Sequence, residues 1–155
     1  MDVSEFKHLL WDNTRKIYEG MNTILNEWGG RYGLSALQLR ILMEVYQKGT
    51  HTVGSLASNI LVAGANISAM CKKLENLGFL IRTRNPFDER VVLIELTDMG
   101  KETMQEIDKL FEEKMYKLLE KDAELKESLE TVYLAMVKLN ALLYQLDDNV
   151  NQKQE

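Results

Sequence analysis

The chain has 155 residues, 45% of them apolar and 28% charged, with one cysteine and a formal net charge of −5 at pH 7. A single cysteine excludes an internal disulfide framework, no stretch approaches the roughly 18 apolar residues of a membrane span, and the N-terminus lacks a secretory leader pattern. We therefore expect a cytoplasmic protein without a membrane partner, and one proline among many Leu, Glu, Lys and Met residues predicts a mostly helical fold.

The charge is unevenly distributed along the chain. Residues 35–100 carry seven Lys and Arg against six Asp and Glu, a balance of +1, whereas residues 101–155 carry eight against thirteen, a balance of −5. A middle segment with a net charge of only +1 attracts a nucleic acid weakly. Any contacts with phosphate must therefore come from a local cluster of cations.

Two helices are predicted in the N-terminal third. Apolar residues at spacings of three and four, among them Ile17 and Met21, predict a long helix over Val3–Trp28, ended by the glycines that follow. Ser35, with Gln38 three residues later, forms a capping box that opens a second helix through about Lys48.

The third and fourth helices are short and closely linked. Thr52 can cap the third, and the fourth is predicted from Gly64 to Gly78. Its inward stripe consists of Ile67, Met70, Cys71 and Leu74. The opposite face is small, polar and basic, and it consists of Ala65, Asn66, Ser68, Ala69, Lys72, Lys73 and Asn76.

A β-hairpin follows the fourth helix. Residues 79–84 and 91–96 are predicted as paired strands around a turn at residues 85–87, with Asp88 and Arg90 at or beside the tip. Thr97, together with Asp98, is predicted to cap the next helix, which runs through about residue 120.

Seven apolar residues near the C-terminus are spaced in alternating steps of four and three, the period of a helix that packs lengthwise against other helices. They are Leu125, Leu129, Val132, Met136, Leu139, Leu143 and Leu146. This stripe predicts a last helix from about Asp122. It packs either within the same subunit or against a second subunit, and the two long amphipathic helices at the chain ends favour a dimer.

The chain resembles the MarR family of transcriptional regulators over nearly its whole length. Four stretches carry the resemblance, namely LSALQLRIL at 34–42, TVGSLASNI at 52–60, ISAMCKKLENLGFLIRT at 67–83 and DERVVLIELTDMGKE at 88–102. The family's Asp-x-Arg wing signature falls on Asp88 and Arg90, and its Leu-Thr-x-x-Gly junction falls on Leu96, Thr97 and Gly100.

The resemblance implies one mainly α domain with a small β-hairpin wing, a winged helix-turn-helix whose terminal helices dimerise. Residues 1–33 and 101–147 would be the dimerisation helices, 34–100 the DNA-binding lobe, and 148–155 a disordered tail. The implied function is a sequence-specific repressor that binds a palindromic double-stranded DNA operator as a homodimer, without a cofactor. Many family members release DNA when a small aromatic molecule binds.

The fourth helix and the wing hold the predicted DNA contacts. They are Ala65, Asn66, Ser68, Ala69, Lys72, Lys73, Arg82, Arg84, Asp88 and Arg90. Asn66 and Ser68 would read base edges, and the two lysines would hold phosphates. Arg90 would enter the minor groove, while Asp88 would pair with an arginine to hold the wing. Members commonly carry Thr-Arg where Ser68 and Ala69 stand, so one basic contact is missing.

Several alternatives stay open at this point. Any one of the predicted DNA contacts can instead be an ordinary solvated side chain. The net negative charge also allows a different function, in which the winged-helix dimer binds another protein and not DNA. Cys71 is either a packing residue or a thiol redox sensor. Neither histidine has metal-ligand spacing, and no catalytic motif is present, so we expect no metal site and no enzyme. A small effector could bind in a pocket lined by Trp11, Trp28, Tyr32, Met43 and Tyr46. The alternative is that these side chains are ordinary residues of the core.

Overall fold

The computed structural model describes residues 1–146, and the predicted disordered tail at 148–155 lies outside them. The described elements, in chain order, are α1 (Val3–Gly30), α2 (Ala36–Lys48), β1 (His51–Thr52), α3 (Val53–Ile60), α4 (Gly64–Asn76), β2 (Leu80–Asn85), β3 (Asp88–Leu96), α5 (Asp98–Lys121) and α6 (Ala123–Leu146). The mainly α fold with a β-hairpin is therefore confirmed. The chain divides into two compact units, residues 1–108 and a second unit that starts at Lys109.

The predicted helix starts are confirmed by their side-chain caps. Ser35 accepts a hydrogen bond from the backbone N–H of Gln38, whose side chain accepts one from the backbone of Ser35 in return. Thr52 forms the same reciprocal arrangement with Ser55 at the start of α3. Asp122 accepts the backbone N–H of Leu125 as α6 begins. Each cap satisfies N–H groups that lack a partner inside the helix.

The first helix is longer than predicted, because Gly29 and Gly30 belong to it. Gly29 packs directly against the chain that returns to α2, since a Cβ there would lie 2.7 Å from the carbonyl oxygen of Leu34. The backbone N–H of Leu34 also donates to the carbonyl oxygen of Gly29. This glycine therefore permits a close approach instead of ending the helix.

The sheet has three antiparallel strands in the order β1-β3-β2. The short strand β1 was not predicted; His51 pairs with Ile94 and Thr52 with Leu93. The hairpin is also tighter than predicted, because β2 ends at Asn85 and β3 begins at Asp88. Only residues 86 and 87 form the tip, so Arg90 lies beside it, in the first part of β3.

The core of the first unit lies among α2, α3, α4 and the sheet. Its fully buried side chains include Leu39, Leu42, Leu56, Ile67, Leu74 and Ile94. Three of the four residues of the predicted inward stripe of α4 are buried, and the fourth, Met70, is half-buried. The apolar stripe of α6 behaves differently, since no residue of that helix is buried in the single chain.

The junction between the wing and α5 explains the glycine in the Leu-Thr-x-x-Gly pattern. The hydroxyl of Thr97 donates to the carbonyl oxygen of Gly78 at 2.6 Å and accepts the backbone N–H of Gly100 at 3.0 Å. The backbone N–H of Thr97 donates to the carbonyl oxygen of Phe79. These bonds bring that carbonyl so close to Gly100 that a Cβ there would clash with it.

Gly100→Ala should lower the free energy of unfolding by about 2 kcal/mol, because the backbone of Phe79 cannot move away without breaking its bond to Thr97. Urea denaturation followed by circular dichroism measures this change. Gly54→Ala is the matched control, since its Cβ would make only an ordinary 3.8 Å contact with the Thr52 hydroxyl. Equal stability of the two variants would contradict the explanation of Gly100.

Within residues 1–146, no single helix has both the length and the apolar content of a membrane span. Helices α3 and α4 reach that length and apolar content only when they are counted as one segment, and the chain bends by 112° between them.

Candidate nucleic-acid interface

The fourth helix is fixed with one face inward and the other toward solvent. Ile67, Cys71 and Leu74 are fully buried and hold α4 against the core. The opposite face carries six exposed residues, Ala65, Asn66, Ala69, Lys72, Lys73 and Asn76, while Ser68 is half-buried. The predicted outward face is therefore confirmed as a surface, and its small side chains leave room for close approach by a partner.

The start of α4 differs from the starts of α2, α3 and α6. Its N-cap residue is Ala63, which offers no side-chain hydrogen bond. Before it, Leu61 adopts the left-handed conformation with φ 57° and allows the sharp turn out of α3. Within the described residues the backbone N–H groups of Gly64 and Ala65 have no hydrogen-bond acceptor. An N-terminus in this state favours an anion.

The lysines of α4 and two arginines of the wing are available to an external partner. Lys72, Lys73, Arg84 and Arg90 are all exposed. None of the four makes an ion pair within residues 1–146. The surface formed by α4 and the wing therefore presents four cations without an ion-pair partner, beside the exposed carboxylates of Asp88 and Glu89.

Arg82 is placed differently from the other two predicted wing arginines. Its side chain is 22% exposed, and one guanidinium nitrogen lies 3.6 Å from a carboxylate oxygen of Glu75 in α4. This ion pair joins the base of the wing to the fourth helix. Arg82 thus positions these two elements relative to each other, whereas Arg84 and Arg90 project into solvent.

The predicted ion pair between Asp88 and an arginine is wrong. The Asp88 carboxylate accepts the backbone N–H of Arg90 at 3.0 Å, and within residues 1–146 it makes no ion pair. The short Asp88 side chain reaches the backbone N–H two residues ahead more easily than it reaches a mobile guanidinium. This bond between a side chain and the backbone two residues later is an Asx turn. Asp88 therefore shapes the wing as expected, but through the backbone.

The five predicted effector contacts do not converge on one cavity. A cavity of about 470 Å³ lies between α1, α2 and α3, and of the five only Met43 lines it. Tyr46 lines a different cavity, Trp28 is buried, and Trp11 is 67% exposed. The Tyr32 hydroxyl donates to the Glu106 carboxylate at 2.7 Å, and this hydrogen bond raises the pKa of Tyr32.

The prediction missed the α1 side chains that line the larger cavity. Ile17, Tyr18 and Met21 form one wall, and Arg40 and Glu44 contribute charged groups from α2. Ile17 and Met21 belonged to the predicted apolar stripe of the first helix, but periodicity gives only the face of a helix. It does not tell which part of that face lies beside α2.

Cys71 is fully buried, and burial raises the pKa of its thiol to about 11. A thiol is nucleophilic only as the thiolate, so this environment favours the packing role over redox sensing. We expect the native protein to react with a thiol reagent such as DTNB about 100-fold more slowly than the urea-unfolded chain. Equal rates in the two states would restore the redox interpretation.

Comparison with known proteins agrees with this architecture. A model of the SarA/Rot transcriptional regulators matches residues 23–107 of the chain. Over 76 residues the chain is 32% identical to YkoM, an uncharacterised HTH-type transcriptional regulator of Bacillus subtilis, and the match covers 49% of each protein. The chain thus spans about half the length of this curated relative. These matches are to transcriptional regulators and not to enzymes, as expected.

Solved structures show the same fold. The structure of reduced AbfR bound to DNA superposes with a TM-score of 0.70 at 18% identity, covering 93% of this chain and 96% of AbfR. A mutant of MarR from E. coli superposes with a TM-score of 0.69 at 22% identity, covering 90% of this chain and 97% of that one. The predicted winged helix-turn-helix fold of the MarR type is confirmed, and the family match over residues 23–107 places the chain in the SarA/Rot family of transcriptional regulators.

Proposed function

We propose that this chain regulates transcription by binding a palindromic DNA operator as a homodimer and acts as a repressor. The observation that carries the proposal is the exposed face of α4 beside two free wing arginines, Arg84 and Arg90. A thin helix with short polar side chains fits the major groove, and a hairpin beside it reaches the next minor groove. A regulator of this kind acts where the chromosome is, in the cytoplasm.

The division of labour on α4 follows from side-chain chemistry. Asn66 can bond both N6 and N7 of an adenine, and Ser68 can bond a base or a phosphate. Ala65 and Ala69 allow close approach or contact with a thymine methyl group. Lys72 and Lys73 would hold phosphates and would compensate for the missing arginine at Ala69.

Backbone groups would supply a further phosphate contact. The free N–H groups of Gly64 and Ala65 lie at the positive end of the α4 dipole, where no side-chain cap competes for them. A DNA phosphate at this point would take the place of the absent cap. This contact would set how deeply the helix sits in the groove.

The dimer is supported by apolar surface that the single chain leaves exposed. On α1, Ile17 and Met21 are exposed, and on α6, Val132, Met136 and Leu143 are exposed. Large contiguous apolar surfaces on a helix favour association with another chain. A two-fold pair would place two α4 helices about 34–36 Å apart, in successive major grooves.

A small aromatic effector is the last element of the proposal. The cavity between α1, α2 and α3 has a mainly apolar wall with Arg40 and Glu44 at its side, the usual make-up of a site for a small molecule. Occupation of this cavity would favour one of two pre-existing spacings of the α4 helices and thereby release DNA.

A gel-shift titration against genomic DNA fragments at two salt concentrations tests the proposal. A DNA-binding dimer should retain specific fragments and lose affinity steeply with salt, by about 0.9 in the logarithmic slope for each phosphate contacted. The retained fragments should share a palindrome with half-site centres one helical turn apart, about 10–10.5 base pairs. Absence of any salt-dependent binding would favour the protein-interaction module instead.

A further inference from the structure

The tip of the wing is a defined turn with an aromatic side chain. Asn85 pairs with Asp88 across the hairpin, so only Pro86 and Phe87 lie between the strands. The Asn85 side chain accepts the backbone N–H of Phe87 at 2.9 Å, and the Asp88 carboxylate accepts the backbone N–H of Arg90 at 3.0 Å. Two Asx bonds and a proline therefore restrict the backbone on both sides of the Phe87 ring.

This ring is directed away from the protein. Phe87 is 96% exposed, more than any other large apolar side chain among residues 1–146. Isolated exposed apolar residues are common, so the exposure alone does not indicate a function. The cations near the tip in sequence make the difference, because Arg84 and Arg90 each lie three residues from Phe87, are exposed, and make no ion pair within the described residues.

The geometry points to Phe87 as an apolar wedge that inserts partly between two adjacent base pairs from the minor groove. This inference rests on the proposed function, since it requires that the wing reaches DNA. The two arginines would hold the tip between the phosphate rows, where negative potential is concentrated. The ring would then find an apolar environment in the base stack, which the wing itself does not provide.

A wedge also predicts a sequence preference that no hydrogen bond explains. Partial unstacking is easiest at the flexible pyrimidine–purine steps, TA and CA/TG. Because the Asx bonds already restrict the turn, its backbone would lose little conformational freedom on insertion. We therefore expect one such step beneath each wing, outside the bases that α4 reads, and a kink of the duplex at that step.

The test uses a duplex recovered by the wild-type protein from a random pool, with 2-aminopurine in place of adenine at each TA or CA step flanking the half-sites. Emission of 2-aminopurine rises when the base loses its stacking partner. Wild type should raise the emission several-fold at one step in each half-site. Phe87→Ala should leave the emission unchanged and bind about 100-fold more weakly, about 10-fold for each of the two wings, and Phe87→Leu should lie between them.

Two controls separate insertion from other losses. Because Phe87 is almost fully exposed, Phe87→Ala should keep the melting temperature of wild type. It should also keep the salt slope, because no phosphate contact is removed. If Phe87→Ala kept the affinity and the emission change of wild type, Phe87 would not be a wedge. The same holds if wild type caused no emission change. Either result would leave the proposed DNA binding intact. Failure of wild type to retain any duplex would refute the proposed function and the wedge together.

Discussion

Arg90→Ala should weaken binding to a selected operator by about 100-fold, because each wing would lose about 10-fold and the dimer carries two wings. The guanidinium is exposed, and within residues 1–146 it makes no ion pair that would hold it on the protein. In a narrow minor groove it meets concentrated negative potential. Fluorescence anisotropy with labelled duplex at fixed salt measures the loss.

Two further variants show whether the effect belongs to the guanidinium. Glu89→Gln removes the neighbouring exposed carboxylate, so it should bind DNA at least as tightly as wild type. Arg90→Lys keeps the charge but loses the planar fork, and it should lie between wild type and Arg90→Ala. The Arg90→Ala protein should melt at the wild-type temperature, since an exposed side chain contributes little to folding. Wild-type affinity in Arg90→Ala would refute the role of the wing.

Met136→Glu should shift the protein from dimer to monomer, raising the dimer dissociation constant by about 1,000-fold or more. Met136 lies on the apolar stripe of α6 and is 51% exposed in the single chain. In a two-fold interface the substitution would bury two unpaired carboxylates, each costing several kcal/mol. Sedimentation velocity at micromolar concentration measures the shift, and operator binding should fall with it.

Leu134→Glu is the matched control for the dimer prediction. Leu134 lies on the same helix, two residues earlier, and is 49% exposed. Two residues turn an α-helix by about 200°, so Leu134 points away from the stripe. Leu134→Glu should remain dimeric. A dimeric Met136→Glu protein, or equal dissociation of the two variants, would contradict the proposed interface.

Local signals in the sequence predicted most of the fold. Ser35, Thr52 and Asp122 cap their helices by short-range hydrogen bonds, which depend on residues at most three positions away. Strand β1 was missed because His51 and Thr52 are too few to show alternation. Its pairing with β3 comes from the tertiary fold, which a local pattern does not contain.

The part of the candidate site that lies on a single helix could be predicted from the sequence. The inward stripe of α4 determined which of its side chains face solvent, and the structure agrees. Contacts between elements were not predictable, and the Arg82–Glu75 ion pair and the α1 wall of the large cavity are examples. The partner of Asp88 was also predicted wrongly, because its carboxylate accepts the backbone N–H of Arg90 and does not pair with an arginine side chain.

The salt dependence of DNA binding shows whether α4 lies in a groove, because it counts the cations that contact phosphate. Lys72→Gln combined with Lys73→Gln removes two lysines from each subunit and four from a dimer on one operator. The logarithmic slope should become shallower by about 3.6, or about 0.9 for each of the four lysines. Lys117→Gln combined with Lys121→Gln, which removes two exposed lysines outside α4 and the wing, should leave the slope unchanged. An unchanged slope in the Lys72 and Lys73 variant would show that α4 does not contact the phosphates of the operator.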